Sequence, residues 1–186
     1  MVKKVVTDKE ILRRVCTPVE KIDADALRIA TDLKDTLMAS WNGEIVGGAY
    51  AAPQIGEFKR IVVLAEKYAD ESSIIFMFNP TVVEARGKQS AWELCMSTPT
   101  EFCKVERPYR VKVEYVDENG VKKLLKKTKF GATILCHEID HLDGKICSDV
   151  AVEIFKTKSV AETIKIRSKF YDEHPEEVYD DGLSDK

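Results

Sequence analysis

Two of the chain's three histidines stand four residues apart, in His137-Glu138-Ile139-Asp140-His141. On an α-helix, positions i and i+4 share one face with Cβ atoms about 5–6 Å apart, so both imidazoles can reach one metal ion while Glu138 flanks it. The pattern therefore requires a helix over residues 131–143. Leu135, Ile139 and Leu142 give that helix enough apolar surface to be buried, which argues against a solvated pair of surface histidines. A buried site helix needs a core around it, and 186 residues with 44 % hydrophobic content supply one domain's worth.

The segments on either side read as helices and antiparallel strands. Residues 24–40 repeat apolar groups at Leu27, Ala30, Leu33 and Leu37 behind a capping Asp23, predicting an amphipathic packing helix. An uncharged, Gly-rich stretch from Ile45 to Gly56 reads as a loop, and β-branched and aromatic runs follow at Ile61–Leu64 and Ile74–Phe78, the second ended by Asn79-Pro80. Strict alternation over Arg110–Val116, then Asp117-Glu118-Asn119-Gly120 and Val121–Leu125, predicts a hairpin turning at Asn-Gly, with the five lysines between 122 and 129 on its wet face. Ser159 and Glu162 form a capping box for a last helix reaching Tyr171. With no repeat, linker or second core, the expected fold is α+β: antiparallel strands packed around a central metal-binding helix, with an N-terminal and a C-terminal helix. Residues 1–171 read as a single catalytic domain and 172–186 as an acidic tail, with seven acids and one lysine.

Charge excludes several partners. Without the tail, 28 bases face 25 acids, a balance of +3 that is too small to argue for DNA or an anionic membrane. The longest charge-free stretches, Ile45–Gly56 and Ser72–Val83, are twelve residues each, short of the ~18 a membrane span needs. Asp8, Lys9 and Glu10 interrupt any apolar run of signal length after Met1, so no export is expected. The five cysteines, 16, 95, 103, 136 and 147, are odd in number and irregularly spaced, and they read as reduced thiols.

A hydrolytic metal needs a third protein ligand and one open position. Cys95 lies 42 residues before His137, in Glu93-Leu94-Cys95-Met96-Ser97, where a thiolate would suit Fe²⁺ or Zn²⁺. Cys147, six residues after His141, stands where metzincin proteases place their third histidine, and Glu153 or Glu162 would serve a gluzincin-like site. Spacing alone leaves these open.

Three blocks taken together are more specific. Gly47-Gly48-Ala49-Tyr50-Ala51-Ala52-Pro53-Gln54-Ile55-Gly56, Glu93–Ser97 and Cys136-His137-Glu138-Ile139-Asp140-His141-Leu142-Asp143-Gly144 resemble, in order and separation, the three motifs of peptide deformylases. Asn79-Pro80, an Arg107–Val116 strand and the Asn-Gly hairpin extend the resemblance from about Asp8 to Asp149. It implies a metal-dependent hydrolase that removes the formyl group from N-formylmethionyl peptides of nascent chains. Cys95, His137 and His141 would hold one divalent ion, Fe²⁺ first, with Zn²⁺ or Ni²⁺ as other occupants. Glu138 would move the proton of the attacking water to the departing amine, and the Gln54 amide and Leu94 N–H would bind the oxyanion. The backbone of Gly48 and Ala49 would pair with the peptide, and Gly48, Phe130, Thr133, Ile134 and His137 would line the Met pocket. Glu93 and Arg107 would brace the Cys95 loop. The implied meeting place is the ribosome, with only transient contact, and the enzyme is expected to be a cytoplasmic monomer of bacterial type. A phage or organellar source fits equally.

Departures from the family pattern are Leu94 and Ala49, where Gly is usual, Gly48 and Tyr50, where aliphatic residues are usual, and Cys136, where Gln is usual. Leu94 raises the expectation of a differently bent loop and a narrower channel, because Gly serves positive φ or close approach. None of them removes a ligand, the base or Gln54, so the expectation is retained catalysis with altered substrate preference. The competing expectations are an endopeptidase that dispenses with Cys95, and a degenerate module that only binds peptides.

Overall fold

The computed structural model describes residues 1–43 and 47–175. Five strands, β1 (Ala49–Ala51), β2 (Ile61–Ala65), β3 (Ile74–Arg86), β6 (Arg110–Val116) and β7 (Lys122–Thr128), form an antiparallel sheet in that order. Successive strand side chains point to opposite faces, and β2 uses both. Val62 and Leu64 enter one apolar cluster, while Ile61, Val63 and Ala65 enter another. The helix α2 (Ala24–Ser40) covers the second face with Ile29, Leu33 and Leu37, and Asp23 Oδ1 caps it by accepting from the Ala26 N–H (3.0 Å). The helix α3 (Lys129–Leu142) covers the first face with Leu135, Ile139 and Leu142, against Val62, Leu64, Met77, Val111 and Val113. Both predicted helices are present.

The strands depart from expectation in three places. Ile45–Gly56 is not wholly loop: 45 and 46 lie outside the described residues, but β1 and a 3₁₀ turn (Ala52–Ile55) follow. Asn79-Pro80 bends β3 without ending it. Residues 74–78 pair with β2 and 78–86 with β6, and the register slips between Phe78 and Thr81, where a proline without an N–H is tolerated. Asn79, at φ +53, is held there by Val19, whose N–H donates to its Oδ1 (2.7 Å) and whose C=O accepts from its Nδ2 (2.8 Å). Arg107–Val116 is not one strand, because Pro108 separates β5 (Glu101–Arg107) from β6, and the two belong to different sheets. The hairpin turns where expected. Asp117 Oδ1 accepts from the N–H groups of Asn119 (3.0 Å) and Val121 (2.9 Å), and Gly120 takes φ +78.

A second sheet, absent from the sequence reading, has the order β4-β5-β8, with β4 spanning Gln89–Leu94 and β8 Ala151–Lys156. It lies on the other side of α3. Trp92 stacks on Phe102 (ring centroids 4.7 Å) and on Phe155 (5.2 Å). The last helix, α5 (Val160–Glu173), adds Phe170 and Tyr171 to this aromatic group. Its capping box is present, although Glu162 reaches the Lys158 N–H (2.8 Å) while Ser159 Oγ accepts from the Glu162 N–H (3.2 Å). The N-terminal segment, with the single turn α1 (Lys9–Leu12), crosses the end of α3, and the Cys16 N–H donates to Leu142 O (2.9 Å). Gly144 makes that crossing possible: it takes φ +72, and a Cβ there would lie 2.4 Å from Arg13 O. A further short helix, α4 (Cys147–Val150), leads into β8. Among the described residues no helix is long and apolar enough to cross a membrane.

Candidate metal centre

The site forms where α3 passes between the two sheets. His137, Glu138 and His141 project from one stretch of the helix, and Cys95 follows directly on the end of β4. One ligand atom each from Cys95, His137 and His141 lie within 4.8 Å of one another. Cys95 is 2 % exposed and His141 1 %, and Cys95 Sγ is 3.3 Å from His141 Nε2. The two imidazoles hold the Cys95 thiol well below its usual range against the opposing effect of burial. Of the other third-ligand candidates, Cys147 groups with Glu93 and His137 only, and Glu153 and Glu162 join no such group among the described residues.

The surroundings orient these groups. Glu93 Oε2 is 2.8 Å from His137 Nδ1, which directs Nε2 of that ring toward Cys95 and His141. Glu93 also accepts from Arg107, from Nε to Oε1 (2.7 Å) and from Nη2 to Oε2 (3.0 Å), and Arg107 continues to Asp140 Oδ2 (2.5 Å). Burial would raise the Glu93 carboxyl, but His137 and Arg107 hold it at about 2. The Cys147 thiol donates to Glu93 Oε2 (3.4 Å). Asp140 is absent from the site residues read from the sequence, and Cys147 enters there only as an alternative third metal ligand, not as a partner of Glu93. Asp140 lies inside the His-Glu-Ile-Asp-His motif, whereas nothing in sequence connects Cys147 to Glu93.

Two groups face the cluster. Glu138 is buried, its Oε2 has no partner among the described residues, and burial pushes its carboxyl up to about 7. The Gln54 amide is fixed by the Ala51 N–H, which donates to Oε1 (2.8 Å), so Nε2 points to Cys95 Sγ (3.7 Å) and Ser97 Oγ (3.4 Å). A soft thiolate with two imidazoles suits a divalent transition metal. Three protein ligands leave one position open, and a buried carboxylate without a partner beside them fits such an ion.

The remaining sequence-predicted residues are distributed around this centre. Leu94 pairs with Phe102 in regular strand register, and its φ is not positive, so this position does not demand glycine and the strand is not bent by the leucine. Gly48 lies beside Ile134, since a Cβ on it would be 3.4 Å from Ile134 Cδ1. Phe130 and Ile134 are half-buried. Thr133 is 1 % exposed, and its hydroxyl accepts from Gln89 Nε2 (3.2 Å). The Gly48 C=O accepts from the Ala65 N–H (2.9 Å) on β2, and Ala49 is buried on the free edge of the large sheet. All five cysteines are free and buried.

An antiparallel sheet clasping a helix whose two histidines meet a cysteine from a second sheet, with a buried glutamate alongside, defines a metal-dependent hydrolase. The family model for polypeptide deformylase matches residues 2–156. The chain is 41 % identical to peptide deformylase 2 of Clostridium acetobutylicum over 150 residues, covering 81 % of this chain and 95 % of that one. The peptide deformylase of Legionella pneumophila superposes with a TM-score of 0.75 at 27 % identity, covering 94 % and 98 % of the two chains. A class I type b peptide deformylase from Acinetobacter baumannii, solved with Met-Ala-Ser bound, gives 0.71 at 27 % identity, covering 81 % and 98 %. The chain belongs to the polypeptide deformylase family, the metal-dependent enzymes that remove the N-formyl group from newly made polypeptides.

Proposed function

We propose that this chain deformylates N-formylmethionyl peptides with Cys95, His137 and His141 holding one divalent ion, Fe²⁺ natively and Zn²⁺ or Ni²⁺ as substitutes. The observation that carries the reading is the meeting of these three ligand atoms within 4.8 Å beside the partnerless Glu138 Oε2. When bound, the ion supplies Lewis acidity, drawing the pKa of water toward neutrality and polarising a carbonyl oxygen. Glu138 takes a proton from the attacking water and returns it to the departing amine, a task that suits a carboxyl raised to about 7. The Gln54 Nε2–H and the Leu94 N–H donate to the formyl oxygen as charge develops on it, Gln54 already held by the Ala51 N–H. The products are formate and a free amino terminus.

Glu93, braced by Arg107, fixes the His137 ring. The outward backbone of Ala49 pairs with the peptide as an added strand, and Gly48 contributes an open wall beside Ile134 and Phe130 for the Met side chain. Thr133 supports that wall from behind through Gln89. The Met-Ala-Ser bound to the Acinetobacter enzyme supports a short Met-initiated peptide as the ligand class. The enzyme acts as a cytoplasmic monomer on chains emerging from the ribosome, touching it only transiently.

The test is formate release from formyl-Met-Ala-Ser by anaerobically prepared protein, with Glu138→Ala and Cys95→Ala in parallel. Release by the parent and loss in both variants is expected. Cleavage of unformylated peptides that needs Glu138 but not Cys95 would establish an endopeptidase instead, and metal binding without any turnover would establish a peptide-binding relative.

A further inference from the structure

Gly48 and Ile134 approach each other beside the Met pocket, and the gap between them cannot adjust from the Gly48 side. Gly48 has no side chain, and a Cβ on it would stand 3.4 Å from Ile134 Cδ1. The width there depends on where the first turns of α3 stand. Phe130, Ile134 and His137 recur at helical spacing, so they rise along one face of that helix to the metal cluster, and Thr133 lies one turn before His137.

The start of α3 has little to hold it from within. Among the described residues its N-cap, Thr128, makes no side-chain capping bond, and Lys129 takes φ +51, which an L-residue adopts only where its surroundings hold it. The holding contacts come from outside the helix. The Lys129 N–H donates to Tyr109 O (2.8 Å), and Gln89, the first residue of β4, reaches across with its amide. Gln89 Nε2 donates to Lys129 O (2.7 Å), to Pro108 O (3.1 Å) and to Thr133 Oγ1 (3.2 Å), sharing its N–H bonds among the three oxygens. One side chain thus ties two successive turns of α3 to β4 and to the link between β5 and β6. His137 is held separately, its Nδ1 standing 2.8 Å from Glu93 Oε2. Glu93 serves the metal end of the helix and Gln89 the pocket end.

We propose that Gln89 is a positioning residue that sets the width of the Met pocket by pinning the first turns of α3 from behind. The proposal rests on the deformylase reading and deepens it. Without the tie, Lys129 relaxes from its left-handed conformation, and Phe130 and Ile134 move back from Gly48, so that a bulkier first residue is admitted. A packed pocket resists larger groups because its walls must give, and walls released from a hydrogen-bonded anchor give more readily. The lost bonding is worth about two- to tenfold in discrimination between side chains. Because Glu93 still orients His137, metal affinity stays that of the parent.

The experiment measures kcat and KM for formyl-Met-Ala-Ser and formyl-Phe-Ala-Ser with the metal-loaded full chain and with its Gln89→Met and Gln89→Asn variants. Methionine keeps the length without a donor, and asparagine keeps the amide on a shorter stem. The parent is expected to favour the Met peptide. In both variants that preference in kcat/KM is expected to fall about two- to tenfold, through a lower KM for the Phe peptide. Metal affinity and kcat on formyl-Met-Ala-Ser are expected to match the parent, which separates positioning of the pocket from a general loss of stability. Should Gln89→Met fail to fold, Gln89→Asn decides. Formate release without a Met preference in the parent, a preference unchanged in a folded variant, or an equal loss on both peptides with weaker metal binding overturns the assignment while leaving the deformylase reading intact. No formate from either peptide overturns that reading and the assignment with it.

Discussion

Replacing Glu93 by glutamine tests how much of the fold and the site depends on one buried carboxylate. Its side chain is 4 % exposed, and that of Arg107, its bidentate partner, is 7 % exposed. Glutamine keeps the shape and one acceptor but removes the charge, leaving the guanidinium with only Asp140, whose side chain is 20 % exposed. Breaking a buried pair by deleting one partner costs about 3–5 kcal/mol, because the other charge stays desolvated. The retained acceptor puts the expected cost at the lower end, about 3 kcal/mol. For a chain of this size, at about 2–4 °C per kcal/mol, the melting temperature should fall by about 6–12 °C. Circular dichroism melts should be recorded in chelator, so that folding is read apart from metal binding. The same substitution frees His137 Nδ1 of its carboxylate, and metal affinity should fall about 10- to 100-fold. Adding Arg107→Met to Glu93→Gln should restore much of the lost stability, since no guanidinium is then left short of a partner. A melting temperature within about 2 °C of the parent, with unchanged metal affinity, would refute this reasoning.

Other positions carry separate expectations. Gly144→Ala combines φ +72 with a Cβ 2.4 Å from Arg13 O, so it should cost about 2–4 kcal/mol in denaturant titrations. Gly120→Ala, at φ +78 with nothing within 4 Å of a Cβ, should cost only about 1–2 kcal/mol, and the difference between the two isolates the clash. Ser159→Ala removes the acceptor for the Glu162 N–H at the start of α5 and should cost about 1 kcal/mol, seen as a lower denaturation midpoint. Burial raises the Cys16 and Cys136 thiols to about 11, so in the metal-loaded protein a thiol reagent at pH 8 should label neither until denaturant is added.

Much of this architecture was legible because its signals are local. The α2 period, the α3 motif and the Asp117–Gly120 turn each specify their own conformation over a few residues. What escaped is governed by contacts between distant segments. β4 and β5 carry Glu93, Glu101 and Arg107, charges that break any local pattern of buried strands; the family resemblance alone pairs Glu93 with Arg107, and Glu101 meets Lys9 (2.6 Å) across the chain. The bend at Asn79-Pro80 looks like a strand end, and only the change of partner from β2 to β6 shows why the strand goes on. In the site, His137, Glu138 and His141 follow from one helical turn, while Cys95 is 42 residues away. Its place beside the two histidines is suggested by the family resemblance and is reached because Cys95 follows directly on the end of β4, next to the helix. Cys147 lies against Glu93 only because α4 starts beside β5.

The central claim is that one ion held by Cys95, His137 and His141 makes this chain a deformylase. The most direct test strips the protein with a chelator, then returns Fe²⁺ anaerobically in measured steps while formate release from formyl-Met-Ala-Ser is followed. The account predicts activity at background after stripping, and recovery that is complete at one equivalent per chain and absent in Cys95→Ser. Full activity in the stripped protein, or recovery in Cys95→Ser equal to the parent, would contradict it.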